Sequence, residues 1–480
     1  MYSKFGQFID GKWQQAEKKE TYEVINPATE EIIGKASKAS SVDVQKALKS
    51  AQKGLEVWKN TAPWQRSYII RKIADLMREK KDILAKWLTL EVGKPLLEGV
   101  GEVGGGADIF EWNAEETKRI YGQTVESRFQ NTRVHVYYQP IGVVAALVPW
   151  NFPIVLASRK ISTALAAGCS VICKPDVITP GAVMELVDIC KEAGVPDGVV
   201  NLLSGDPAEI SNELLESDIV KKVSLTGSTR VGKLILKKAA DKVQRVTMEL
   251  SGHSPFIVFD DVDVDKVVDM AITSKFRNNG QVCISPNRFY IQEKTKEKFI
   301  NAFVNKAKKL KIGNGMDADV QLGPMTTKKR LDEIEDLVEK TKKEGAKVLL
   351  GGKKPSGFNK GFYYEPTIFD DVKDDFTIMC QEPFGPLCPM LSFKTFDEVI
   401  KRANNHELGL ASYICTNSME LANKASEQIE TGAVAVNTPL VAQAEAPFGG
   451  IKQTGDGREG GSMAIKDYLN IKYTHLGIKG

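Results

Sequence analysis

The segment Gly142-Val143-Val144-Ala145-Ala146-Leu147-Val148 is apolar along nearly its whole length. A strand with one wet face alternates; a run with no polar position suits a strand covered on both faces. The next segments alternate between helix and strand. The spacing predicts a helix near Pro153–Ala167, a strand at Ser170–Lys174, a helix at Pro180–Ala193, strands at Val199–Leu203 and Lys222–Leu225, and a helix over Ser228–Ala240. Strands interleaved with helices imply βαβ units and a doubly wound parallel sheet. After Val246–Leu250 the rhythm restarts, with strands at Pro255–Val258 and Asn287–Ile291, helices at Val264–Ser274 and Thr295–Leu310, and later apolar units at Val348–Leu350, Pro389–Phe393 and Val434–Val436. A chain of 480 residues is too long for one core. Two α/β domains are therefore expected, divided near Glu249–Ser251.

Three segments stand outside this rhythm. Residues 1–40 read as short strands and turns. Ser41–Tyr121 is helical in pattern, with Ser67–Val92 read as one long helix stopped by Lys94-Pro95. Residues 124–140 alternate and predict a hairpin arm, and Ile465–Tyr473 is strand-like and expected to pair with it. Charge and cysteine usage exclude several classes of protein. The 65 basic residues against 62 acidic ones leave only +3, no footprint for nucleic acid or a membrane surface. Seven cysteines are too few, and odd in number, for a secreted disulfide scaffold. The four histidines lack ligand spacing, so no metal is expected. No signal peptide or apolar run of about 20 residues is visible, so a reduced, cytoplasmic protein is expected.

Five features carry possible chemistry, each with a plain structural alternative. Thr226-Gly227-Ser228-Thr229-Arg230-Val231-Gly232 follows a strand and opens a helix, offering free N–H groups to a phosphate; it also suits an ordinary helix cap. It is neither G-x-G-x-x-G nor a P-loop. Lys174-Pro175 lies at the carboxyl edge of a buried strand, suited to a ribose or phosphate, or simply solvated. Cys283, in Asn278-Asn279-Gly280-Gln281-Val282-Cys283, sits in a polar irregular turn like a nucleophile, whereas Cys169 and Cys173 lie in an apolar segment as packing residues. Glu249 ends a strand and suits a general base or a buried paired carboxylate. Asn151, between prolines, suits an oxyanion donor or a turn.

In this order along the chain, these features resemble the aldehyde dehydrogenase superfamily over essentially the whole length. The matching blocks are Pro149–Pro153, Lys174-Pro175, Gly227–Gly232, Met248–Gly252, Gly280–Cys283, Glu382-Pro383-Phe384-Gly385-Pro386 and Pro447-Phe448-Gly449-Gly450. The resemblance implies two doubly wound α/β domains plus a small β bridging and oligomerisation element. It divides the chain into residues 1–121 and 141–250 for NAD(P), 251–447 for catalysis, and 122–140 with 462–480 for bridging, in a homodimer or homotetramer. It implies Cys283 as nucleophile, Asn151 and the Cys283 N–H as oxyanion donors, hydride passage to nicotinamide, and Glu249 as the base that hydrolyses the thioester. The presence of Glu249 argues against a CoA-acylating branch. Trp150, Lys174, Gly205, Gly227, Ser228, Val231, Glu382 and Phe384 are implied to bind cofactor. Val177 stands where NAD-preferring members often carry a glutamate, so NADP is expected to be accepted alongside NAD, although Asp176 stands one position earlier.

Arg159 and Arg277 match the carboxylate-binding pair of succinic semialdehyde dehydrogenases, and arginine forks suit carboxylates. The expected substrate is succinate semialdehyde. The alternatives are glutarate or 2-oxoglutarate semialdehyde, a neutral or amino aldehyde, or, remotely, a non-catalytic binding protein on this fold. Three positions depart from the family pattern. Ser251 replaces a glycine. Ser285 stands where some members carry a second cysteine, so no intrachain redox switch is expected. Ala442-Gln443 replaces a serine that often grips the carboxylate. Apart from Cys283, the cysteines are expected to be structural.

Overall fold

The computed structural model describes Tyr2–Ile478; the last two residues of the predicted bridging segment 462–480 lie outside the described residues. Two seven-stranded sheets organise the chain. In the first, the strand order is Arg245–Glu249, Val220–Thr226, Val143–Leu147, Ser170–Lys174, Val200–Leu202, Gln7–Ile9 and Lys12–Gln14. The first five run parallel, and the N-terminal hairpin closes the edge antiparallel. Both faces are covered. Val144, Ala146, Val171 and Cys173 face a core with Ile70, Phe110, Ile161 and Met184, whereas Val143, Ala145, Leu147 and Ile172 face Val44, Leu48, Ile210 and Ile235. That double burial is why the Gly142–Val148 run has no polar member.

The second sheet runs Lys347–Leu350, Thr367–Asp370, Leu387–Phe393, Pro286–Gln292, Ser254–Val258, Ala411–Cys415 and Ala433–Val436. Only its first pair is antiparallel. Phe256 and Val258 point to one core, Ile257 and Phe259 to another. A three-stranded antiparallel sheet stands apart, with Thr132–Pro140 between Gln123–Glu126 and Leu469–Gly477.

The structure differs from expectation at three places. Ser67–Val92 is not one helix: Pro63–Glu79 and Lys81–Val92 are separate, broken at Lys80 (φ −96°, ψ 17°). Ile465–Tyr468 is a 3-10 turn rather than strand, and only Leu469 onward pairs with the arm. Cys380 is exposed rather than packed, because it closes a four-residue helix at the surface. Among the described residues, no helix is long and apolar enough to cross a membrane, and no cluster of three potential metal-ligating side chains occurs.

Candidate active site

The first sheet changes winding direction between Val143–Leu147 and its neighbour Val220–Thr226, since the chain proceeds from the former to Ser170–Lys174 on the opposite side. At such a switch point the loops leave in opposite directions and open a crevice at the carboxyl ends of the strands. A cavity of about 180 Å³ lies there. Its walls include Trp150 and Asn151 after one strand, Gly227 and Ser228 after the other, Glu249 at the end of a third, and Cys283, Glu382 and Phe384 from the loops entering the second sheet. A second cavity, of about 320 Å³, meets it at Asn151 and Cys283 and is lined on its far side by Arg159, Arg277, Phe152 and Phe448. The thiol thus stands at the junction of two chambers.

The loop before Cys283 owes its shape to three successive residues in the left-handed region: Asn278 (φ 48°), Asn279 (φ 54°) and Gly280 (φ 73°). Asparagine tolerates this conformation, and glycine adopts it freely. At Gly280 a Cβ would run into the carbonyl oxygen of Gly385, and at Gly252 into that of Cys283. Asn278 and Asn279 anchor the turn through their amides, to the carbonyls of Asn151 (3.1 Å) and Gly323 (2.9 Å). The Asn151 side chain is buried and donates to the Gln281 carbonyl at 3.2 Å. Lys94 donates to the Asn151 carbonyl at 2.9 Å, fixing the loop from behind. Among the described residues the backbone N–H of Cys283 donates to nothing.

Glu249 is 1% exposed, and neither carboxylate oxygen meets hydrogen-bond geometry. Burial pushes its pKa up to about 7, and the nearby Glu459 carboxylate adds to the rise, while the Cys283 thiol, Lys160 and the Thr226 hydroxyl oppose it. Burial and the Glu249 carboxylate in turn hold the Cys283 thiol well above its ordinary range, with Arg277 opposing. Each group, once charged, thus opposes the ionisation of the other. Arg159 is buried, donates to the Glu459 carbonyl at 3.2 Å and packs over Phe448. Arg277 is exposed at the cavity mouth over Phe152, and among the described residues it makes no ion pair.

The residues expected to hold NAD(P) suit such a group. The helix Thr229–Asp241 begins at the crevice; Ser228 accepts from the Val231 N–H, and the N–H groups of Ser228 and Arg230 find no partner among the described residues. A Cβ at Gly227 would meet only Leu225, at 3.7 Å, so the backbone there is open to a close ligand. An anion at free N–H groups of a helix start is favoured. Glu382 accepts from the Gly252 N–H at 3.2 Å, and burial raises its pKa to about 8. Lys174 ends its strand buried, and its ammonium makes no hydrogen bond among the described residues; burial lowers its pKa while Asp176 and Asp206 oppose this.

Not every expected residue lines a chamber. Lys174 lies further along the carboxyl edge. Gly205 follows the strand Val200–Leu202 with φ 151°, where a Cβ would stand 2.9 Å from the Ala39 nitrogen, a packing role by position. The Val231 side chain packs into the core behind the helix start. Conversely, Thr226 and Arg330 line the first chamber although neither belongs to the expected set. Lys160 and Glu459 form a buried ion pair beside Glu249, with Lys160 also bonded to Thr226 at 2.7 Å. Lys160 lies in the mixed-polarity run Ala157-Ser158-Arg159-Lys160-Ile161-Ser162-Thr163, which gives no local sign that every member is buried. Glu459, beside Arg458 in a glycine-rich tail, reads as a surface pair.

Ser251 has a visible role in this arrangement. Its hydroxyl accepts from the Thr229 N–H at 3.4 Å and lies close enough to Glu382 to favour its carboxylate. Ser251→Gly is expected to raise KM for the dinucleotide several-fold, about the effect of one weak hydrogen bond, with KM for aldehyde little changed. Steady-state kinetics with each substrate varied in turn check this.

An unpaired buried carboxylate thus stands beside a thiol at which two chambers meet, next to a helix start open to an anion. The aldehyde dehydrogenase family profile matches residues 13–474, and the chain belongs to that family. It is thus an oxidoreductase acting on aldehydes. Over 471 residues it is 42% identical to a glutarate-semialdehyde dehydrogenase of Pseudomonas putida, covering 98% of this chain and 97% of the relative. It is 40% identical over 470 residues to an NADP(+) succinate-semialdehyde dehydrogenase of Escherichia coli strain K12, with 98% and 97% covered. Among solved structures, an NADP-dependent enzyme of E. coli superposes with a TM-score of 0.97 at 39% identity, covering 99% of each chain.

Proposed function

We propose that this enzyme oxidises an aldehyde bearing a distal carboxylate, a semialdehyde of the succinate or glutarate type, using NAD or NADP. The observation that carries the reading is the pair Arg159 and Arg277 lining the chamber that ends at Cys283. Two guanidinium groups in a partly apolar chamber favour a carboxylate there, since each offers a fork of donors. The names carried by the two relatives agree with this class.

Cys283 attacks the carbonyl carbon as thiolate, its proton passing to a basic neighbour, for which Glu249 is placed. Asn151 Nδ2 and the free Cys283 N–H supply donors for the resulting oxyanion, each such donor being worth about 10²–10³ in rate. NAD(P), held beside Cys283 in the first chamber, would supply the two-electron acceptor that oxidation of the Cys283 adduct to a thioester requires. Once Glu249 has released the cysteine proton to solvent, it takes a proton from the water that attacks the thioester, the Cys283 thiolate leaves as the acid forms, and a carboxyl titrating near neutrality is well matched to that task. Gly227, Ser228, Trp150, Lys174, Glu382 and Phe384 would hold the dinucleotide.

Arg277→Ala is expected to raise KM for succinate or glutarate semialdehyde at least about tenfold, the scale of one lost charge-assisted contact, while sparing a neutral aldehyde of equal length. Equal losses on both would remove the carboxylate role and favour a neutral or amino-aldehyde oxidiser. NADP is proposed to be used at least as well as NAD, because Val177 places no carboxylate against a 2′-phosphate. Asp176 is turned away into its own loop, its Oδ1 accepting from the Ile178 N–H at 3.0 Å. A hundredfold advantage in kcat/KM for NAD would overturn this. We also propose a homodimer or homotetramer formed through the three-stranded arm, whose Ile471 and Tyr473 are 71% and 70% exposed. The seven cysteines, none disulfide-bonded, suit the cytoplasm.

A further inference from the structure

The helix Leu96–Glu116 carries five glycines, at 99, 101, 104, 105 and 106, although glycine inside a helix is less favourable than alanine. Two have a packing reason. A Cβ at Gly99 would stand 3.1 Å from the Ala85 carbonyl oxygen, and one at Gly106 would stand 2.8 Å from Ile154 and 2.9 Å from the Ser158 hydroxyl. Gly101 and Gly104 have nothing within 4 Å of such a Cβ, and Gly105 has only Val155 at 3.7 Å. All three have ordinary helical backbone, so neither packing nor conformation requires glycine at them.

Gly101 and Gly105 are four residues apart, on one helix face, and both line the chamber that also holds Arg159, Arg277 and Cys283. Gly104 does not line it. At about 320 Å³ the chamber falls at the lower end of the range that holds drug-sized ligands, more than a four-carbon oxo acid fills. We propose that Gly101 and Gly105 are specificity-determining residues: the bare backbone they present leaves room for an oxo acid of five or six carbons, or a branched one, held by its carboxylate at the two arginines. This rests on the carboxylate reading of the site, and it deepens that reading by assigning substrate length to one wall.

The test measures kcat/KM for the four-, five- and six-carbon ω-oxo acids, and for butanal, pentanal and hexanal, with wild type, Gly105→Leu and Gly104→Leu. In Gly105→Leu the six-carbon to four-carbon ratio is expected to fall at least about tenfold, mainly through KM, as expected when side-chain bulk enters a pocket. Gly104→Leu, with the same helix change outside the chamber, is expected to keep the wild-type ratio. A Gly105→Leu ratio equal to wild type, or an equal fall in Gly104→Leu, would overturn the proposal. Should the leucine variant be insoluble, Gly105→Ala is expected to lower the ratio by a smaller factor and to melt at or above the wild-type temperature; a lower melting temperature would show that packing requires the glycine and would overturn it too. If wild type oxidises hexanal as well as the six-carbon oxo acid, the carboxylate reading fails, while the length ratio among the neutral aldehydes still tests the glycine wall.

Discussion

Cys283→Ser is expected to reduce aldehyde oxidation by at least about 10⁴-fold in kcat/KM, on the scale seen when a covalent nucleophile is removed. A serine hydroxyl in the same half-buried position has no base strong enough to ionise it. Its geometry should otherwise survive, because the loop is held by the amides of Asn278 and Asn279 and by the close fit of Gly252 and Gly280 rather than by the sulfur. Dinucleotide affinity, read by fluorescence titration, should therefore stay near wild type. A variant that still turned over at a tenth of the wild-type rate would show that the thiol is not the reacting group.

Glu249→Gln is expected to separate the two halves of the reaction. Glutamine fills the same volume but cannot accept a proton from water, and loss of a positioned base typically lowers rate by about 10²–10⁴-fold. Steady-state turnover should fall accordingly, while a first, slower burst of reduced dinucleotide, close to one per active site, should persist with solvent water accepting the Cys283 proton. Wild-type kcat should also carry a pH dependence of defined sign. The working form is the carboxylate, and its pKa is pushed up to about 7 by burial. Turnover should thus be low in acid, rise as pH passes through about 7, and level off above. In Glu249→Gln that inflection should vanish. A wild-type profile that fell with rising pH across neutrality would contradict the assignment.

The sequence revealed most of the scaffold, and for a physical reason. Strands buried on both faces, such as Val143–Leu147 and Ser170–Lys174, can hold almost nothing polar, so their edges are sharp. The break at Lys80 was invisible because Met77-Arg78-Glu79-Lys80-Lys81 are all good helix formers; tertiary packing, with Met77 and Leu84 both buried, decides the turn there. Cys283 and Asn151 could be found because they stand in irregular turns just outside regular elements, and Glu249 because it ends a strand; the family pattern then joined the three. Arg330, on a helix of alternating charge, looks like any solvated arginine, and its place in the chamber depends on a fold-level approach that no local pattern encodes. The same holds for Glu459, which reaches Lys160 across some 300 residues of chain. Gly205 and Val231, like Lys174, match a family pattern by position without lining the first chamber.

The two chambers meet at Cys283, the thiol proposed to carry the substrate as an acyl group. The most direct measurement is peptide mass spectrometry of Glu249→Gln after brief mixing with oxidised dinucleotide and a semialdehyde, quenched in acid. The acyl mass of that substrate is expected on the peptide containing Cys283, formed only when dinucleotide is present and absent from Cys283→Ser. Formation of reduced dinucleotide with no acyl group on Cys283, or with the group on another residue, would contradict it.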